Sequence, residues 1–157
     1  MNWFVRKKTK GDSQLRALLN QWEQQTLIGS EYSFRQQYSV ALKYFKRAEE
    51  IAMQARQSFP DNEDVLQYYA LSSLNLAHVC QCQALDQKTE QVLADAHFNM
   101  TAVMMDANKT LGIRQLARSQ AAVILNSLVH FLKRAGRGHV ACDLEEEFGR
   151  LSGTVLW

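Results

Sequence analysis

The stretch that decides the fold of this chain is residues 28–48, which reads IGSEYSFRQQYSVALKYFKRA. Small and aromatic residues recur in it at the spacing of two facing helices. Small residues let two backbones approach closely, and aromatic rings fill the space beside them. We therefore predict a helix-turn-helix hairpin with residues 35–37 as its connection, although these residues include no glycine. The positions concerned are Gly29, Tyr32, Ala41, Phe45 and Ala48.

Apolar residues at three- and four-residue steps predict helices along the rest of the chain. Pro60 separates the second helix from the third, and Gly136 ends the fifth. The polar residues 86–89 predict a break before the fourth helix. No pattern indicates a strand, so we predict an all-α chain with a short sixth helix. The predicted helices span about residues 12–34, 38–59, 63–85, 92–108, 113–135 and 140–151.

Residues 28–48 resemble the tetratricopeptide repeat, whose unit carries W-x2-L-G-x2-Y in its first helix and A-x3-F-x2-A in its second. Six positions match, while Gln25 replaces Trp and Met53 replaces Pro. The resemblance is specific over residues 25–48 and moderate over residues 60–77. It implies three antiparallel helical hairpins in a right-handed stack, with helices longer than is usual for the family.

Length and composition indicate one domain. The chain has 157 residues, of which 46% are hydrophobic, and a formal charge of +2. That charge is too small to argue for nucleic acid by itself. We expect a basic flexible tail over residues 1–11, a single repeat-like helical domain over residues 12–151, and an apolar tail over residues 152–157.

Targeting signals are not evident in the sequence. The apolar residues 3–5 precede the basic residues 6–8, which is the reverse of a signal peptide. No apolar run approaches the roughly 18–20 residues that a membrane span needs. The three cysteines do not form a complete set of disulfides, so we expect reduced thiols in a cytoplasmic protein.

Little in the sequence indicates catalysis or a cofactor. His78 and Cys82 lie four residues apart and could supply two zinc ligands, but no further ligand pair accompanies them. We interpret them as packed core residues and predict no metal and no cofactor. No nucleophile elbow, phosphate-binding loop or carboxylate pair is present, so we predict that the protein is not an enzyme.

The tetratricopeptide resemblance implies that the first helix of each hairpin lines a binding groove. Arg114 and Arg118 share a face of the fifth helix and could hold a partner's carboxylate, although an ordinary exposed face remains the simpler interpretation. An apolar pocket is expected around Phe34 and Tyr68. The predicted partner-binding residues are Thr26, Ser30, Phe34, Gln67, Tyr68, Leu71, Asn75, Arg114 and Arg118.

Our leading hypothesis is a non-enzymatic domain that binds a protein or peptide segment, as an adaptor or small chaperone does. Some bacterial secretion chaperones of similar length use three such repeats. The alternative is a regulatory protein that contacts nucleic acid through its basic N-terminal tail and the arginines of the fifth helix. We also expect a homodimer that covers the apolar C-terminal tail, with occupation of the chain's own groove by that tail as the alternative.

Overall fold

The fold is built from α-helices that run in sequence along the chain. A computed structural model describes residues 10–154, and within that range it contains six helices and no strand. Residues 1–9 and 155–157, which hold most of the predicted basic tail and the end of the apolar tail, lie outside the described residues. The helices are α1 (Lys10–Phe34), α2 (Tyr38–Ser58), α3 (Glu63–Cys82), α4 (Asp86–Met105), α5 (Leu111–Arg134) and α6 (Gly138–Thr154).

The first hairpin closes on a contact between Gly29 of α1 and Phe45 of α2. A Cβ atom added at Gly29 would lie 2.9 Å from two atoms of the Phe45 ring. The ring therefore packs directly on the backbone of α1. Beside it, the rings of Tyr32 and Tyr44 stack with their centroids 5.7 Å apart. The glycine and the aromatic residues of residues 28–48 thus lie where the two helices meet, as the sequence predicts.

The same turn joins the helices of all three hairpins. In each turn one residue has a positive φ, and the amide after it donates to the carbonyl five residues earlier. The N–H of the positive-φ residue donates to the carbonyl three residues before it, which completes a Schellman motif. The positive-φ residues recur about every 50 residues along the chain: Gln36 (φ 61), Ala84 (φ 56) and Gly136 (φ 75).

Other features recur with the same interval. A fully buried small residue follows each positive-φ residue by five positions: Ala41, Thr89 and Ala141. The links between hairpins are also alike, because Asn62 caps α3 and Thr110 caps α5 through a side-chain oxygen. Residues 10–154 therefore form three similar helical hairpins, and their spacing of about 50 residues is longer than the roughly 34 residues of a tetratricopeptide repeat.

The predicted break between the third and fourth helices was misplaced. Residues 86–89 are not a break, because α4 begins at Asp86 and Thr89 is fully buried with its hydroxyl donating to the Leu85 carbonyl. Polar residues are typical of the first turn of a helix, and this pattern was mistaken for a loop. The true break lies at residues 83–85, where Ala84 ends α3.

Both ends of the described region, residues 10–154, are more helical than predicted. Helix α1 begins at Lys10 and therefore includes two residues assigned to the basic tail. Helix α6 runs to Thr154, and Ser152, assigned to the apolar tail, is buried. Its hydroxyl lies 3.8 Å from the Met104 sulfur, so the last turn of α6 packs against the end of α4.

The helices form two layers. Each helix packs against the next one in sequence, and α3 also contacts α1 and α5, so the odd-numbered helices lie side by side. The even-numbered helices α2, α4 and α6 are further from one another, because their neighbours are the odd-numbered helices. Gaps between even-numbered helices are therefore a feature of this packing.

Gly29→Ala tests the close contact in the first hairpin. We expect it to lower the free energy of unfolding by about 1–3 kcal/mol, because the new methyl group would overlap the Phe45 ring. Gly149→Ala is the matched control, since a Cβ there meets nothing within 4 Å. That control should stabilise the protein by about 0.5–1 kcal/mol through helix propensity. Urea denaturation measures both, and equal effects at the two sites would contradict the proposed contact.

Ala84→Gly tests the turn between α3 and α4. Alanine at positive φ is strained, whereas glycine adopts this conformation readily. We expect Ala84→Gly to raise the free energy of unfolding by about 0.5–1 kcal/mol. Gly136→Ala, at the equivalent turn, should lower it for the same reason. Thermal melts that move in the same direction for both variants would contradict this interpretation.

Candidate functional site

The predicted partner-binding residues lie on the odd-numbered helices, but the structure does not gather them into one pocket. Phe34 lies at the end of α1 with 90% of its surface exposed. Tyr68 lies near the start of α3 and stacks on Trp22, with centroids 4.2 Å apart and ring planes 6° from parallel. Phe34 is twelve residues after Trp22, or about 18 Å along α1. The pocket expected around Phe34 and Tyr68 is therefore absent from the described residues.

Tyr68 instead belongs to a contact that joins α1 to α3. The indole N–H of Trp22 donates to the Ser72 hydroxyl, and that hydroxyl donates to the Tyr68 carbonyl at 2.7 Å. Trp22 and Ser72 are both buried. One face of the Tyr68 ring is thus covered by packing between hairpins, and Tyr68 lines a shallow depression together with Leu15 and Leu19.

The other predicted residues are distributed along the three odd-numbered helices. Arg114 is partly buried, and its Nε donates to the Met104 carbonyl at 3.1 Å, where it satisfies the last turn of α4. Thr26 is partly buried and its hydroxyl oxygen has no hydrogen-bond partner among the described residues. Asn75 is also partly buried. The remaining residues are exposed: Ser30, Gln67, Leu71 and Arg118.

A more enclosed site lies on the opposite layer, between α4 and α6. We call it the α4–α6 groove. It has a volume of about 510 Å³, and α5 forms its floor. This volume is within the range of ligand-binding clefts. The groove is lined by Glu90, Ala94, Asp95, His97, Phe98, Thr101, Leu128, Leu132, Val140, Leu144, Glu147, Phe148 and Leu151.

Phe98 is the unusual residue of this groove. It lies in the middle of α4, yet 73% of its surface is exposed. It also lines a second, more polar depression between α2 and α4, whose floor includes Tyr69. The ring therefore stands on a ridge between two depressions on the same face of the molecule.

His97 forms part of the groove wall as a neutral imidazole. Its Nδ1 lies 3.0 Å from the Ala121 carbonyl, which identifies Nδ1–H as the donor, and its ring meets the Phe148 ring edge-on at 5.3 Å. Burial lowers the pKa of His97 below the usual 6.5, while the hydrogen bond to Ala121 and the charge of Glu147 oppose this shift. His97 thus adds an uncharged ring to the groove near neutral pH.

Carboxylates surround this apolar surface. Among the described residues that line the groove are Glu90, Asp95 and Glu147, and none is lysine or arginine. Glu90 is paired with Arg137 at 2.6 Å. Asp95 also borders the neighbouring depression, where burial raises the pKa of Glu49 and Asp95 adds to that rise, while Lys88 opposes it. The rim of the groove therefore favours positively charged groups.

The depression between α2 and α4 is held by contacts to Tyr69. Asn99 donates to the Tyr69 hydroxyl at 2.8 Å, and the Arg56 guanidinium lies 4.9 Å from the centre of its ring. Burial raises the pKa of Tyr69, which keeps its hydroxyl protonated. These contacts link α2, α3 and α4 beneath Phe98 and fix the ridge on which it lies.

Sequence reasoning missed the groove because it examined the odd-numbered helices. A signal was present in α4, whose apolar face consists of Val92, Leu93, Ala96, Met100, Val103 and Met104. Phe98 falls outside this stripe, between His97 and Asn99. A single exposed aromatic residue is common on protein surfaces, so the sequence position of Phe98 became informative only once the structure placed its ring beside an apolar groove.

The interpretation of His78 and Cys82 as core residues was wrong, although Cys80 between them is buried. Both are exposed, with the Cys82 sulfur 3.7 Å from His78 Nε2. Within residues 10–154 no group of three or more potential ligands could hold a metal ion. Nor is any helix of the described region long and apolar enough to cross a membrane.

His97→Gln tests the buried imidazole. As pH falls, the unfolded chain protonates this ring first, because its pKa there is near 6.5 and its pKa in the folded state is lower. The contribution of neutral His97 to the free energy of unfolding is therefore fully present above about pH 6.5 and is lost progressively below it. Glutamine retains an N–H donor but does not titrate, so the variant should lose less stability than the wild type between about pH 7.5 and about pH 5. Urea midpoints that fall in parallel would contradict this assignment.

Comparisons with known proteins identify a family. No curated protein and no solved structure matches the chain. A family model does match residues 20–147, which run from α1 into α6 and include His97 and Phe98. The chain therefore belongs to the family described as protein of unknown function (DUF2753).

Proposed function

We propose that this protein is a non-enzymatic domain that binds a segment of another polypeptide in the α4–α6 groove, as an adaptor or small chaperone does. The observation that carries the proposal is Phe98, an aromatic ring that is 73% exposed in the middle of a regular helix. Full burial of such a ring against a partner contributes about 1.5–3 kcal/mol to the free energy of binding. A partner that covers Phe98 would obtain this energy without any rearrangement of the fold.

The chemistry of the partner follows from the groove. Leu132, Leu144 and Phe148 offer an apolar surface along its length, and the three carboxylates lie around it. A matching segment presents apolar side chains flanked by lysine or arginine. An amphipathic helix meets this requirement, because it lays one apolar face into a groove while its charged face stays at the rim.

The proposal includes a tetratricopeptide-like stack of hairpins. The packing of Phe45 on Gly29 and the complete burial of Ala41 support it, since both are positions of the repeat motif. The unit of about 50 residues sets this chain apart from the usual repeat. In such a stack the binding surface predicted from sequence lies on the odd-numbered helices, whereas we assign it to the even-numbered ones.

The nucleic-acid alternative has less support. Three carboxylates line the groove, and phosphates would be repelled there. Arg114, one of the arginines predicted to contact nucleic acid, donates to the Met104 carbonyl. The basic N-terminal tail lies outside the described residues except for its last two. We therefore propose the binding of a polypeptide rather than of nucleic acid. We also propose that the protein is cytoplasmic.

Phe98→Ala tests the proposal with a defined probe. We would titrate a fluorescent 14-residue amphipathic peptide of leucine and lysine into the purified protein and follow its anisotropy. We expect saturable binding that weakens about tenfold or more in Phe98→Ala, since an aromatic anchor of an interface carries much of the affinity. Higher salt should weaken binding moderately, because the rim carboxylates contribute through charge.

Phe34→Ala is the matched control. It removes the same ring from another exposed site, 90% exposed, on the predicted odd-helix surface. We expect wild-type affinity from this variant and unchanged melting temperatures for both. Loss of binding in Phe34→Ala with wild-type binding in Phe98→Ala would move the site to the odd-numbered helices. No saturable binding at all would contradict the proposed function for this class of partner.

A further inference from the structure

The α4–α6 groove has two properties that a ligand would have to match. Its walls are apolar, with the Phe98 ring at one edge, and Glu90, Asp95 and Glu147 add negative charge around them. Glu90 is already paired with Arg137, so Asp95 and Glu147 are the carboxylates nearest the apolar surface that have no ion pair among the described contacts. A complementary segment needs aromatic or aliphatic residues followed closely by basic ones.

The chain itself contains such a segment. Residues 3–5 are Trp, Phe and Val, and residues 6–8 are Arg, Lys and Lys. We propose that residues 3–8 of a second copy of this chain bind in the α4–α6 groove, with the aromatic residues beside Phe98 and the basic residues at Asp95 and Glu147. This inference rests on the proposed function of the groove and names its occupant.

The spacing of the helices favours binding of residues 3–8 in the groove of a second copy over binding in the groove of the same copy. The described helix α1 begins at Lys10, and α3 lies between α1 and α5. Packed helix axes are about 8–10 Å apart, so α5 lies about 16–20 Å from α1. The groove lies in the other layer, above α5, so its offset of roughly 10 Å is perpendicular to this spacing, and the two combine to about 19–22 Å across the helices. The groove residues of α5, Leu128 and Leu132, also lie 17 and 21 residues after Leu111, the first residue of α5. Because α1 and α5 run in the same direction, this displaces the groove by a further distance of about 25–32 Å along the helix axes. Phe4 lies six residues from Lys10 and reaches at most about 20–22 Å even when fully extended.

Exchange between two copies has a simple consequence. If each copy places its residues 3–8 in the groove of the other, the contact is isologous, and a two-fold symmetric dimer fills both grooves. Further association stops because no groove is left open. A homodimer was expected from the sequence for a different reason, the apolar residues near the C-terminus. The present inference assigns the interface to the N-terminal segment instead.

The mass of the full-length protein in solution tests the inference. We expect a dimer for the wild type and a monomer for the double variant Trp3→Ala/Phe4→Ala and for Phe98→Ala, measured by light scattering at matched concentrations. Trp157→Ala is the control and should remain a dimer. Dimerisation that survives Trp3→Ala/Phe4→Ala but is lost in Trp157→Ala would overturn the inference in favour of the C-terminal tail. A dimer in all variants, or a monomeric wild type, would also overturn it.

Mixing two monomeric variants gives a complementary test. Trp3→Ala/Phe4→Ala retains its groove, and Phe98→Ala retains its N-terminal segment. An equimolar mixture should therefore form a heterodimer held by one segment in one groove, with weaker affinity than the wild type. Neither variant alone should form it, and a mixture that stays monomeric would count against the assignment of segment to groove.

A peptide of residues 1–10 separates this inference from the proposed function. We expect it to bind the full-length Trp3→Ala/Phe4→Ala protein and to lose about tenfold or more in affinity when Phe98→Ala is added. Lys7→Glu/Lys8→Glu in the peptide should weaken binding, and Glu147→Lys in the protein should recover part of it. If the leucine–lysine probe binds but this peptide does not, the groove binds other partners and the present inference is wrong. If neither binds, the proposed function fails as well.

Discussion

The absence of a side chain at Gly29 is the constraint on which the first hairpin depends. The Phe45 ring packs on the backbone of α1, and any Cβ at Gly29 would come within 2.9 Å of it. This contact sets the separation of α1 and α2, and the Tyr32–Tyr44 stack lies next to it. With α1 held in this position, Trp22 reaches Tyr68 and Ser72 of α3, and the first hairpin is attached to the second. A small local feature thereby determines how the array begins.

The later hairpins repeat the geometry of the first without repeating its residues. Each closes through a Schellman motif, yet only one of the three positive-φ positions is glycine. Each then buries a small residue completely five positions later. The features that recur are the backbone conformation of the turn and a small side chain at the buried position. Helices of 17 to 25 residues make this unit longer than a tetratricopeptide repeat. The groove between α4 and α6 has a volume of about 510 Å³.

The groove between α4 and α6 combines an apolar surface with acidic side chains. Its apolar walls include a histidine that burial holds neutral, and its carboxylates stay at the edges, where water solvates them. Phe98 is the exception to this separation, because its ring is both apolar and exposed. A partner with apolar residues and flanking positive charge satisfies all of these groups together. The proposals on peptide binding and on the N-terminal segment both depend on this arrangement.

Helical periodicity and one close-packed motif were sufficient to predict the all-α class, six helices and the first hairpin. These are local properties, since a residue's spacing along a helix decides which face it occupies. The break at residues 86–89 was misplaced because polar residues begin helices as well as loops, and only the conformation of Ala84 distinguishes the two. The separation of Phe34 from Tyr68, the burial of Thr89 and the groove between α4 and α6 depend on how helices distant in sequence pack. No local pattern carries that information, so only the tertiary structure decided which face of the array contains the apolar groove.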